Sequence, residues 1–201
     1  MNKNKFDIES VDLKITEELF RDHKVIEVSK VYEDLGGQQA KVPFLHKTFY
    51  FIEPKTIIVL DDYLHFNRYR AVALRSGLYE QLAFFPLDNY RRYCRNFEKE
   101  CIKSGLKNGI WSNKESNYHF GDASEPGDFF KNGSSGWKLQ AFKDYLEDAA
   151  ALLYNYKLVR FSVYDNFLAE GKLIRLDSVL DRASHPLHNQ LLGYITRRLK
   201  E

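Results

Sequence analysis

An aspartate pair and a histidine close the apolar run Ile57-Ile58-Val59-Leu60 in the order Asp61-Asp62-Tyr63-Leu64-His65. Carboxylates and an imidazole at the end of a buried strand can hold water, a hard cation or a phosphate. In open α/β sheets that carboxyl end is where ligands bind. Successive side chains of a strand point to opposite faces, so Asp61 and Asp62 do not act as a pair if both lie on the strand. A plainer account stands beside the chemical one: a strand end whose aspartate caps the following helix, and a hydrogen-bonded structural histidine. Glu53, in the Glu53-Pro54-Lys55 connection upstream, is the nearest further carboxylate.

The elements that position these residues follow from periodicity. Two runs rich in β-branched and aromatic residues, Phe44 to Ile52 and Thr56 to Leu60, flank the Pro-containing connection and read as a hairpin. The second run is apolar on both faces, as in a central strand covered on two sides. HFNRYRAVALRS then reads as a helix closed by Gly77. Leu82 to Phe85 reads as a buried strand ended by Pro86, and Asp88 as the N-cap of a helix DNYRRYCRNFEKECIKS. Upstream, the apolar residues from Asp12 to Leu35 suggest one helix or two short ones, stopped by Gly36 and Gly37.

Downstream, a loop-rich insert from Lys103 to Gly136 precedes a helix over Trp137 to Tyr156. Strands near Leu158 to Tyr164 and Lys172 to Leu176 flank a turn at Gly171, and a last helix begins near His185-Pro186. The fold class expected is α/β: a central mixed sheet, formed by a β-hairpin and then strand-helix-strand-helix, flanked by helices and extended by a C-terminal helix-hairpin-helix. Residues 1–104 form its core, and 105–201 are expected to pack on that core as a single domain.

Over Thr48 to Ser76 the chain resembles the core of very short patch repair-like endonucleases, a branch of the PD-(D/E)XK superfamily. That family places a hairpin aspartate beside a strand ending in glutamate, any residue, aspartate and glycine, with a histidine four residues later. The family's second aspartate falls on Asp61 and its histidine on His65, while Thr48, Val59 and Asp62 stand where the first aspartate, the glutamate and the glycine belong. The resemblance implies phosphodiester hydrolysis with Mg²⁺, Asp61 as metal ligand and His65 beside it, and DNA as partner. Hydrolysis of that kind needs hard oxygen ligands converging on the ion. With threonine and valine at two ligand positions, Glu53, Asp62 or a carboxylate of the 121–128 loop would have to complete the site, or the domain binds without cutting.

Positive charge is local, because 30 basic against 28 acidic residues leave a formal net charge of +2. Arg92, Arg95, Lys99 and Lys103 recur at helical spacing, and Arg68, Arg70 and Arg75 lie nearby. Such a stripe can meet phosphates, or form a solvated face balanced by Glu98 and Glu100. An interaction protein is the other class considered, its docking surface drawn from Trp111, Tyr118, Phe120, Phe129, Phe130 and Trp137. Asp122, Glu125 and Asp128 depart from the calcium-loop pattern and read as a turn. Asn132 to Gly136 offers amides at a helix start but lacks the lysine-serine ending of a P-loop, so no nucleotide cofactor is expected. Cys94 and Cys101, two turns apart, read as buried thiols. The first residues carry no apolar signal core and no 18 apolar residues run together, so no membrane partner and a cytoplasmic location are the expectations.

Overall fold

The two apolar runs can bury their alternate side chains only by pairing, and they do so in the computed structural model, which describes residues 8–20, 27–52, 55–180 and 186–200. Strand β1 (Ile8–Ile15) leads into the short helix α1 (Glu17–Phe20), and α2 spans Val28–Asp34. Strand β2 (Leu45–Ile52) pairs antiparallel with β1 from Ile8 opposite Ile52 to Ile15 opposite Leu45. Strand β3 (Thr56–Asp61) returns antiparallel to β2, with Phe51 opposite Ile57. The helix expected from Asp12 onward is therefore replaced by a strand up to Ile15. Val11, Leu13 and Ile15 alternate inward, a period-2 pattern that a window spanning both β1 and α2 conceals.

A single 3₁₀ turn (Tyr63–His65) follows β3, then α3 (Arg68–Ala73), α4 (Leu78–Gln81), α5 (Leu87–Asn96) and α6 (Glu98–Lys107). The strand expected at Leu82 to Phe85 is a turn between α4 and α5, closed by Phe85 N–H donating to Leu82 O at 2.9 Å. Its apolar residues are still buried: the Phe85 ring packs on Tyr79 and Tyr90 at 4.8 and 4.9 Å. The long helix expected after it breaks at Phe97, and Asp88 lies in the first turn of α5, where Pro86 holds the cap position. Helix α7 (Lys114–Phe120) lies inside the loop-rich insert, started by a reciprocal capping box between Asn113 and Ser116.

Helix α8 (Ser135–Leu153) crosses the molecule, and β4 (Lys157–Ser162) then runs parallel to β3, from Thr56 opposite Lys157 to Asp61 opposite Ser162. The parallel partner of β3 thus comes from the C-terminal half of the chain. Strands β5 (Asn166–Ala169) and β6 (Lys172–Arg175) make the hairpin at Gly171, so the strand near 158–164 belongs to the main sheet and not to that hairpin. Short α9 (Asp177–Leu180) and α10 (His188–Lys200) end the described chain; His185 lies outside it.

Among the described residues the main sheet has the order β1-β2-β3-β4, a mixed sheet with helices on it. Alternation along β3 and β4 splits the interior in two. Ile57, Val59 and Leu158 face the larger apolar cluster with α8, while Ile58, Val159 and Phe161 face a smaller one with Phe167, Val179 and Leu191. The larger cluster draws residues from Leu13 to Tyr164, from both halves of the sequence.

Candidate functional site

The Asp61 side chain leaves β3 on the face that α8 covers, and it is 1% exposed. Arg160, two residues before the end of β4, opens on the same face, with Val59 opposite it in the register. A guanidinium buried in a strand as apolar as Leu-Val-Arg-Phe needs carboxylates around it. Helix α8 supplies them from Asp144, Glu147 and Asp148, whose three- and four-residue spacing stacks them on one face. Arg160 Nη1 donates to Asp61 Oδ1 at 2.6 Å and Nε to Asp148 Oδ1 at 2.6 Å, while Nη2 reaches Glu147 Oε2 at 3.5 Å.

Arg70, from α3, enters from the other side. Its Nη2 donates to Asp148 Oδ2 at 2.7 Å, and Nη1 to Tyr79 Oη at 3.1 Å; Tyr79 Oη in turn donates to Asp148 Oδ2 at 2.9 Å. The second oxygen of Asp61 accepts from Tyr90 Oη at 2.6 Å. Two partly exposed side chains touch the cluster from its edge. Lys47 of β2 reaches Glu147 in a short contact, and His65 Nδ1 lies 3.0 Å from Asp144 Oδ2 and 3.6 Å from Asp61 Oδ1. His65 is partly open, at 21% side-chain exposure.

These neighbours set the protonation states. Burial works against charge on His65, but Asp144 and Asp61 beside it outweigh that and raise its pKa to about 9. Burial likewise opposes ionisation of Asp61 and Asp144; Arg160 and His65 for the first, and His65 and Arg70 for the second, hold both below the ordinary aspartate value. Glu147 is raised, because burial exceeds the pull of Arg160 and Lys47. Burial also raises Cys94 and Cys101, both free, to about 12, which keeps them as neutral thiols.

The structure brings Asp61 and His65 together and separates the other expected residues. Asp62 turns outward, accepts from Leu64 N–H at 2.8 Å as a cap, and stands 3.8 Å from His65 Nε2. Glu53 lies outside the described residues. Thr48 is exposed on the opposite face of β2 and donates to Asp12 in β1. Arg70, expected to meet phosphates, is 1% exposed and committed to Asp148. Arg68 is held by Glu98 through two contacts of 2.7 and 3.0 Å and lies over the Phe129 ring at 3.9 Å. Arg92, Arg95 and Lys99 are exposed on α5 and α6.

Of the aromatic residues expected to form a docking surface, Trp111, Phe120 and Trp137 are core residues at 5% exposure or less. Tyr118 and Phe130 are exposed.

Mg²⁺ takes compact octahedral sets of oxygen ligands. The donor set around Asp61 does not fit one, since its two oxygens accept from Arg160 and Tyr90 and a guanidinium fills the space toward Asp148. Among the described residues no three His, Cys, Asp or Glu side chains converge as metal ligands do.

Arg160, Asp144, Glu147 and Asp148 are not among the residues that the resemblance or the local motifs single out. The signal was present: a lone arginine inside an apolar strand and three acids at helical spacing in a helix otherwise rich in Ala, Leu and aromatic residues.

A family model described as a family of unknown function, DUF7255, matches residues 30–182. The chain belongs to the DUF7255 family. Every member of the ionic cluster lies inside the DUF7255 match, whereas β1 and α10 lie outside it. No curated protein and no solved structure matches the chain.

Proposed function

We propose that this chain is a nuclease-like, nucleic-acid-associated protein that binds without cutting, its catalytic corner converted into an internal ionic cluster. The observation that carries the reading is the position of Arg160, whose guanidinium bridges Asp61 and Asp148 at 2.6 Å each. Asp61 and His65 meet at the carboxyl end of an interior strand, the placement that the nuclease resemblance requires. Yet a carboxylate that accepts from arginine and tyrosine is not free to ligate an ion or to activate water. Binding falls to the exposed cations Arg92, Arg95 and Lys99, which present charge to a phosphate backbone without reading sequence.

Fluorescence anisotropy with single-stranded and duplex oligonucleotides, from about 50 to about 200 mM salt, tests the binding. The expected result is salt-dependent binding and no cleavage with Mg²⁺ or Mn²⁺. Metal-dependent cutting that disappears in Asp61→Ala, or no binding at the lowest salt, overturns the reading.

A further inference from the structure

Between α2, α3 and α5 on one side and the segment leading into α8 on the other lies a cavity of about 660 Å³. It shares no residue with the Asp61 cluster. At its floor stands Lys138, in the first turn of α8 and only 8% exposed. Burial alone lowers its pKa, and among the described residues no carboxylate oxygen lies within 4 Å of its ammonium. Among the described residues its one hydrogen-bond partner is Asn132 Oδ1. Asn132 is itself fixed: its Nδ2 donates to the carbonyls of Phe120 and Asp122, both at 2.8 Å, which turns the oxygen toward the lysine. An ammonium has three donors, so two remain without an acceptor among the described residues.

Gly36 leaves room for the ammonium. It has a φ of +86°, and a Cβ built there would lie 3.2 Å from Lys138 Nζ.

Arg75 and Arg95 stand at the cavity wall, exposed and without a carboxylate partner among the described residues. The acids that also line it are mostly engaged, Glu98 with Arg68 and Asp34 with Lys30, which leaves Glu33 at the edge without an ion pair within 4 Å among the described residues. Tyr69 and Phe129 give an aromatic wall, with the Arg68 guanidinium over the Phe129 ring at 3.9 Å and Lys138 Nζ 5.9 Å from the Tyr69 ring centre. The volume lies within the usual range for small-molecule sites. A buried cation lacking a counter-ion, two free guanidiniums and an aromatic wall fit a dianionic head on a flat apolar body.

We infer that this cavity is a binding site for a phosphate monoester, with the phosphoryl oxygens on Lys138, Arg75 and Arg95 and the organic body against Tyr69 and Phe129. A free small phosphate and the terminal phosphate of a nucleic-acid strand carry the same group. The site shares Arg95 with the surface proposed for nucleic acid and otherwise stands apart from that reading.

Titration calorimetry at low ionic strength, using phenyl phosphate, phenol and inorganic phosphate, tests the inference on the intact chain. Saturable binding of phenyl phosphate, weaker binding of inorganic phosphate and none of phenol are expected. Lys138→Met should weaken phenyl phosphate about tenfold or more, as loss of a charged hydrogen-bond donor does. The double variant Arg75→Ala/Arg95→Ala should weaken it several-fold; both side chains are exposed, so the variant is expected to fold, and circular dichroism checks this, which keeps the test open even if Lys138→Met does not fold. Lys172→Ala, exposed on β6 and outside the cavity, should leave it unchanged. No saturable binding by the wild-type chain, or binding indifferent to the arginine pair, overturns the inference.

A 5′-phosphorylated oligonucleotide compared with its 5′-hydroxyl twin separates the two sources. A preference for the phosphorylated end, lost in the double variant, assigns the site to strand ends; equal binding assigns it to small phosphates. Arg95 belongs to both surfaces, so the double variant also weakens the hydroxyl-ended strand; the difference between the two ends reports on the cavity and the hydroxyl-ended strand by itself on the backbone interaction, which keeps failure of either reading distinguishable.

Discussion

Arg160 is surrounded by Asp61, Glu147 and Asp148 with no solvent exposure of its own. Replacing it by methionine keeps the volume and strands Asp61 and Asp148 without their main counter-charge. A loss of about 3–5 kcal/mol in unfolding free energy is expected, the usual cost of breaking a buried pair from one side. Urea denaturation of Arg160→Met measures it; a loss under about 1 kcal/mol would mean that His65 and Arg70 between them satisfy Asp61 and Asp148.

His65 gives the cluster a pH dependence whose sign can be worked out. Its folded pKa of about 9 lies above the unfolded value near 6.5. The folded state therefore binds the extra proton, and the stabilisation is complete below about pH 6.5 and lost as pH rises through 9. The full linkage amounts to about 3 kcal/mol. Urea melts between pH 6 and 10 should show stability falling across that window for the wild type and a flatter profile for His65→Gln.

At the scale of elements, α8 is the piece on which both the core and the cluster depend. Its first turn is set by Ser134, whose Oγ accepts from Trp137 N–H at 3.1 Å, and by Gly136, where a Cβ would come within 1.7 Å of the Ile110 carbonyl oxygen. Gly136→Ala must push backbone against backbone, and a drop of about 1–3 kcal/mol in stability is expected from such overpacking. Thermal unfolding followed by circular dichroism checks it; an unchanged midpoint would show that the 110–111 turn yields freely.

The same helix shows what the sequence made legible. Its length and apolar residues Leu139, Phe142, Leu146, Ala149 and Leu153 mark it as helix, and all but Leu153, half-buried at its end, lie at 4% exposure or less. Its polar residues look like a water-facing side. In the fold they are a second buried face, because Arg160 waits opposite in β4. Periodicity reports that a face is polar, not whether water or a buried ion covers it. The hairpin of β2 and β3 was legible from local pattern, as was the meeting of Asp61 and His65. The pairing of β3 with β4 was not, since it joins distant segments and leaves no local trace. Leu82 to Phe85, apolar and ended by proline, resembled that missing strand closely enough to take its place.

For the whole molecule, a near-neutral total charge means that any polyanion is met by one surface and not by a general field. If Arg92 and Lys99 each contact a phosphate, replacing both by alanine should flatten the slope of log affinity against log salt by about 2, with no change in preference among sequences. Anisotropy titrations at several salt concentrations read the slope directly; an unaltered slope would place the contact on another face.

Because Thr56 aligns with Lys157, a central strand made early in synthesis must wait for a partner roughly a hundred residues behind it. On a ribosome adding about 5–20 residues per second, that interval is on the order of 5–20 s. Throughout it Ile57, Ile58 and Val59 have an open edge and Asp61 has no arginine. The nascent chain therefore passes through a period in which its centre is sticky and half-charged, and its yield in a cell will respond to holding chaperones and to translation speed between codons 61 and 157 more than to the stability of the finished fold.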